Sequence, residues 1–289
     1  MTPRWFTVPA LIAMATLVAD GAQQDATFRA RNDTVRVDVL VSKDGQPVTG
    51  LKVDDFDVLD NGVRQHLEYS SSDETSINAI LALDMSASVA GKELDRLRTA
   101  GHALLAALRP TDQAALVTFS QVVALRAPLS SDVSKIGTAL DVVRGNGDTS
   151  LVDGVYASLV LGESDLNRSL VLVFTDGVDS SSWLQETAAF DTAKRSAAVV
   201  YGVAPGMPPK ATFLHDLTKM TGGRLITDRT ADLSRTFVDV LNEFRHRYLL
   251  GYSPQGVSRT GYHTLQVLVR GGKDKTISVS VRPGYLVGS

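Results

Sequence analysis

Ile77 to Ser88, INAILALDMSAS, is the stretch whose reading decides the fold. It opens with an apolar run that is too short to span a membrane and suits a strand buried on both faces, then breaks into a polar tip. The tip carries Asp84, Ser86 and Ser88. Alternate residues leaving a strand point the same way, so one carboxylate and two hydroxyls at i, i+2 and i+4 can converge just past its end. All three offer oxygen. Oxygen-only shells suit hard cations such as Mg²⁺, Mn²⁺ or Ca²⁺ better than zinc or copper, which seek imidazole and thiolate.

Working outward, the 289 residues can build one large domain or a medium domain with a smaller companion, and 44% hydrophobic content fills a real core. A formal charge of -3 and the lack of a basic run with interleaved aromatics give no reason to expect nucleic acid as a partner. The first residues read differently: Arg4 precedes an uncharged stretch from Trp5 to Ala19, then Asp20, small residues and Gln23-Gln24. This is the layout of a secretory signal peptide, assigned to residues 1–22, with the mature chain exported to the periplasm or released and not stably inserted in a membrane. No cysteine occurs, which removes a lipobox, disulfides and thiolate metal sites together.

Before the central stretch, valines at 35, 37, 39 and 41 alternate with polar residues, which marks a half-exposed strand. Phe56 to Leu59, an Asn61-Gly62 turn and Val63 to Tyr69 read as a hairpin, so residues 28–72 form an N-terminal β segment. A polar break at residues 70–75 follows. From 76 to 245 buried strands alternate with amphipathic helices: a helix between Gly91 and Arg109, strands at Ala114–Phe119 and Val122–Leu125, a helix capped by Ser131, a glycine-rich turn at 145–149, and a helix with Leu151, Val155 and Leu159 on one side. Leu170 to Phe174 is the next strand, ending in Thr175-Asp176-Gly177. Two further strand and helix pairs lead to a last helix over Asp232 to Arg247. The alternation predicts an α/β fold, a doubly wound and mainly parallel sheet whose sites form at the carboxyl ends of its strands. Residues 246–287 return to β, with Gly271-Gly272 marking a hairpin between the last two strands. The two β segments are each too small to bury a core alone and are expected to pair with one another as one sandwich-like antiparallel module.

Three loops therefore offer oxygen at one edge of the predicted sheet: Asp84, Ser86 and Ser88, then Thr149, then Asp176. Taken singly, each has an ordinary reading as a cap, a loop hydroxyl or a turn. Together they resemble the metal-ion-dependent adhesion site of von Willebrand factor type A domains, in which D-x-S-x-S, a threonine from a second loop and an aspartate from a third hold one divalent cation. Asp84, Ser86 and Ser88 match the first loop in full, Thr149 within DTSLVDG matches the threonine, and Asp176 within FTDG matches the last aspartate. The flanks VTGLKVDDFDVLDNGVRQHLEY, RYLLGYSP and RPGYLV resemble a bacterial exported family built on this domain. Asp148, Asp153 and Asp179 read as a solvated rim or caps. The glycines at 145 and 147 read as residues that let the loop approach the metal, since the Lys-Ser/Thr end of a P-loop is missing.

The resemblance implies a module for metal-dependent protein binding or adhesion, with Mg²⁺ as the expected ion and Mn²⁺ or Ca²⁺ as alternatives, and a carboxylate of a protein partner completing the shell. A scaffold or adaptor of an envelope assembly with a vestigial metal site is the alternative. Enzymes fit less well. A phosphoryl-transfer aspartate of the haloacid-dehalogenase type wants a second aspartate where Ser86 stands, and the chain has neither a G-x-S-x-G elbow nor an H-E-x-x-H pair.

Overall fold

The alternating valines put one face of β1 (Val35–Lys43) into a core, with Val37, Val39 and Val41 buried. The computed structural model describes residues 34–71, 75–163, 167–207, 212–270 and 276–288; the expected signal peptide lies outside the described residues. β2 (Gln46–Pro47) folds back on β1, and β3 (Phe56–Asp60) turns through Asn61 and Gly62, at φ 47° and 79°, into β4 (Val63–Gln65). Only residue types that tolerate positive φ make this turn cheaply, as the Asn-Gly pair requires. The expected second arm, Val63 to Tyr69, is two strands: β4 stays with β3, and β5 (Leu67–Ser71) crosses to another sheet. Strands that change sheets this way make the corners of a sandwich.

β6 (Ile77–Asp84) is buried at every residue. After it come α1 (Lys92–Ala106), β7 (Gln113–Phe119), β8 (Val123–Ser130), α2 (Val133–Val142), α3 (Leu151–Gly162), β9 (Arg168–Phe174), α4 (Glu186–Arg195), β10 (Val199–Val203), α5 (Phe213–Thr221), β11 (Leu225–Ile226) and α6 (Leu233–Arg245). The cap of α2 is Asp132, not Ser131, because the first helical carbonyl is that of Asp132, which accepts from Lys135 N–H at 3.1 Å. The strands lie in the order β11-β10-β9-β6-β7-β8, all parallel except β8. Successive residues of β6 face opposite cores: Leu81 and Leu83 meet α1 and α6 through Leu97, Phe237 and Leu241, while Ile80 and Ala82 meet α3 and α5 through Val155, Leu159 and Leu214. The sheet is doubly wound, as the alternation implies.

Helix α3 lies close against β7. A Cβ on Gly154 would stand 2.5 Å from the ring of Phe119, which is fully buried and has nowhere to turn. Gly154→Ala is expected to cost about 1–3 kcal/mol, seen as a lower urea midpoint at unchanged slope. An unmoved midpoint would mean the helix lifts freely.

β12 (Tyr248–Tyr252), β13 (Gly261–Val269), β14 (Ile277–Ser280) and β15 (Gly284–Val287) complete the β module. β1 pairs antiparallel with β12, Val39 opposite Tyr248, and β3 pairs antiparallel with β13, Val58 opposite Val267. The N- and C-terminal segments thus build one flanking antiparallel module. Its two sheets, β14-β1-β12-β5 and β15-β13-β3-β4, close over Val37, Val39, Phe56, Val58, Leu250 and Val267. The turn expected at Gly271-Gly272 lies outside the described residues, and among the described residues the two segments it was expected to join do not pair with one another. β14 pairs with β1, while β13 takes β15 as its neighbour, a strand the sequence did not mark. Alternation says that a strand has one buried face; it does not say which sheet the strand joins. Between the sheets, Asp60 accepts from the hydroxyls of Tyr285 (2.7 Å) and Tyr252 (3.0 Å) and pairs with His263 Nδ1 (2.7 Å), all out of solvent.

Three buried arginines fasten the module to the α/β unit. Arg168, at the start of β9, donates to Asp38 of β1 and to the carbonyls of Phe244 and Arg247. Arg247 reaches Tyr201 of β10, Gly222 after α5, and the carbonyls of Asp38 and Ser280. Arg282 donates to the carbonyls of Lys194 and Ser196 at the end of α4, and burial holds its pKa down to about 10. Helix C-termini and strand N-termini share one end of an α/β sheet, so the module covers that end. None of these three arginines makes its contacts at the carboxyl ends of the strands.

Candidate metal centre

β6 has β7, its successor, on one side and β9 on the other, so the winding direction changes there. In such sheets the crevice for ligands lies outside the carboxyl ends of the strands at that switch. Asp84 is the last residue of β6, and Asp176 lies just past the end of β9. The two carboxylates therefore flank the crevice by topology alone.

Beyond Asp84 the chain makes a short 3-10 turn, Ala87–Val89, entered through Ser86 in extended conformation. This turn brings the hydroxyls of Ser86 and Ser88 to 3.0 Å from one another, and Ser88 donates to Asp176 Oδ1 at 2.7 Å. The glycine-rich loop is tied to the same turn by Asn146 N–H to Met85 O at 2.8 Å and Ala87 N–H to Gly147 O at 2.9 Å. Gly145 permits that approach, since a Cβ there would stand 3.0 Å from the Ser86 carbonyl and 3.1 Å from the Ala90 nitrogen. Thr149, buried at the end of the loop, points its hydroxyl toward the third segment: Oγ1 is 3.6 Å from where a Cβ on Gly177 would be. All five expected residues thus come to one end of the sheet from three segments.

Asp84 is fully buried. Its Oδ1 accepts from the Ser86 backbone N–H at 2.8 Å and its Oδ2 from the Thr175 hydroxyl at 2.6 Å, which fixes the plane of the carboxylate. Burial pushes its pKa above the ordinary value; the hydrogen bonds from Thr175 and Ser86 oppose that rise, and the like charge of Asp176 adds to it. Among the described residues no lysine or arginine pairs with it. A buried carboxylate held by two donors and facing a second carboxylate is chemistry that suits a cation. The three hydroxyls add neutral oxygens, because a hydroxyl can turn its hydrogen aside and present a lone pair. Among the described residues no group of three or more His, Cys, Asp or Glu side chains converges as a metal would need, so a donor set here depends on counting the hydroxyls.

The neighbouring acids are engaged elsewhere. Asp153 accepts from the backbone N–H of Trp183 and Leu184, both at 2.9 Å, Asp179 accepts from Val152 N–H at 3.2 Å, and Asp148 accepts from Gln121 Nε2 at 3.2 Å. They act as caps and rim, as their sequence setting suggests. Thr175, which holds Asp84 Oδ2, is a residue that the sequence alone does not mark. Its only signal is adjacency to Asp176 in FTDG, and its role depends on which way a buried hydroxyl points.

Residues 79–179 match the family model of the von Willebrand factor type A domain. The chain carries a type A domain. No curated protein matches it. Among solved structures, proximal thread matrix protein 1 from the mussel byssus, with a zinc-occupied metal-ion-dependent adhesion motif, is 17% identical and aligns with a TM-score of 0.53 over 62% of this chain and 48% of its own. A mutant of the PilB minor pilin from Streptococcus sanguinis is 14% identical, with a TM-score of 0.50 over 60% of this chain and 62% of that one. The chain thus spans about half of the mussel protein and less than two thirds of the pilin. At these identities the likeness establishes the fold of the type A domain.

Proposed function

We propose that Asp84, Ser86, Ser88, Thr149 and Asp176 hold one divalent cation, and that this cation binds a carboxylate of a partner protein. The observation that carries the reading is Asp84, a buried carboxylate with two fixed donors and no cationic side chain beside it among the described residues. Two carboxylates only roughly neutralise a dication and three hydroxyls leave it a Lewis acid, so an outside acid can take a remaining position. The set offers no nucleophile poised by a base, and the reading is binding without turnover. The zinc-occupied motif of the mussel protein supports a dication in this kind of site. Mg²⁺ is the finer reading, on the all-oxygen donor set.

The type A domain over 76–245 would be the binding unit, with segments 28–72 and 246–287 as its support, on a chain exported behind a leader at 1–22 to the periplasm or beyond. No helix among the described residues is long and apolar enough to cross a membrane.

Calorimetry with Mg²⁺, Mn²⁺ and Zn²⁺ on the wild type and on Asp176→Ala tests the site. Asp176 is only half-buried, so its truncation is expected to weaken metal binding about a hundredfold or more while the cooperative melt is kept. Negligible heats with all three ions in the wild type would remove the adhesion reading and leave the scaffold alternative. Loss of the cooperative melt in Asp176→Ala would make that residue structural.

A further inference from the structure

The segment between Asp176 and α4 exposes Val178, Trp183 and Leu184, and Trp183, 93% exposed, is the largest apolar side chain the described residues leave in solvent. A tryptophan so exposed gains nothing from folding. Its loop is nevertheless held at many points. Ser180 and Ser181 donate their backbone N–H to the Thr149 carbonyl at 2.9 and 3.1 Å, the Ser181 and Ser150 hydroxyls lie 2.9 Å apart, and Asp153 accepts from both Trp183 and Leu184. The indole is therefore presented from a fixed backbone joined directly to the loop of Thr149. On the other side of β6, the turn between β7 and β8 exposes Val122 (69%), and this turn is tied to the same glycine-rich loop by Ser150 N–H to Ser120 O at 2.9 Å. In the strand order β9-β6-β7 the proposed metal position lies between these apolar groups.

Charge narrows the occupant. The segments 84–90, 120–122, 145–153 and 176–185 contain no lysine or arginine, and the glycine-rich loop is preceded by a single exposed one, Arg144. A polyanion such as a nucleic acid or a sulfated glycan, which needs an extended cationic surface, would find one dication and one arginine beside apolar flanks. A protein carboxylate set among apolar side chains satisfies both parts of the surface. Tryptophan is also the residue type most enriched among dominant interface contacts.

We propose that the partner presents an Asp or Glu flanked by aromatic or large aliphatic side chains, and that Trp183 is the anchor that selects for them. This rests on the metal-dependent reading of the site. The test is a peptide display library with a fixed Asp and randomised neighbours, selected on the full chain with Mg²⁺ or with chelator, using the wild type and Trp183→Ser. Metal-dependent enrichment of Phe, Tyr, Trp, Leu or Ile beside the Asp is expected. A selected peptide should lose about tenfold or more in affinity on Trp183→Ser, with the metal-binding heat and melting temperature unchanged. Enrichment without an apolar bias, no enrichment while the metal heat is present, or an affinity unmoved by Trp183→Ser would each overturn this inference and leave the metal reading standing. Absent metal heats in the wild type would sink the metal reading itself, and this inference with it.

Discussion

Arg168→Ala is expected to lower the free energy of unfolding by about 3–5 kcal/mol, the cost of leaving a buried charge without its partner. The side chain of Arg168 is 1% exposed and that of Asp38 is 7% exposed, so water cannot take over the pairing. Truncation would also strip a donor from the carbonyls of Phe244 and Arg247 and remove the guanidinium lying 4.8 Å from the Phe244 ring centre. Urea titration measures the loss. The double variant Arg168→Met, Asp38→Leu should recover part of it, because removing both charges relieves the desolvation that one alone must bear. Because this contact lies at the amino end of β9, metal binding at the carboxyl end should be unchanged in whatever fraction stays folded. A loss below about 1 kcal/mol in the single variant would place the pair in the range of exposed salt bridges and contradict its burial.

That arginine also shows where reading the sequence stops. Apolar alternation and turn residues were enough to give the doubly wound sheet, because burial of β6 on both faces and of one face of β1 is written in residue type. The site was legible for a related reason: D-x-S-x-S, Thr149 and Asp176 each follow a strand or precede a helix, and the topology of a parallel sheet brings those ends together. Arg168, Arg247 and Arg282 were not legible. An arginine reads as surface unless its partner is known, and Asp38 is distant in sequence from Arg168, while the partners of the other two are largely backbone carbonyls. The exchange of β13 and β14 between sheets has the same origin. Both segments alternate equally well, and only the assembled module, in which β1 needs a neighbour on its free side, distinguishes them. The exposure of Trp183 was hidden too, since one aromatic in a polar loop gives no sign of whether it folds inward.

Asp84→Asn is expected to stabilise the metal-free protein and abolish its response to metal. The two effects have one cause. Ionising Asp84 places a charge in a buried position beside the like charge of Asp176, and its raised pKa means that this ionisation costs the fold stability. For a carboxyl raised above its unfolded value the penalty is absent at low pH, grows as pH passes the ordinary value of 3.8, and is complete once pH exceeds the folded-state value. The asparagine variant should therefore melt with the wild type in acid and above it at neutral pH, both in chelator. The amide can keep both contacts. Its oxygen accepts from Ser86 N–H, and its NH₂ can donate to Thr175 Oγ1, whose own hydrogen has the Gly177 carbonyl within 3.1 Å. With metal at about a hundred times the dissociation constant, binding adds about 2.7 kcal/mol to the wild type and nothing to a variant that cannot hold the ion. The thermal melts should then approach one another or cross as metal is added, a pattern that a purely structural carboxylate does not produce. If the asparagine variant melts below the wild type in chelator at neutral pH, Asp84 supports the fold through its charge, and the cation reading loses the residue on which it depends.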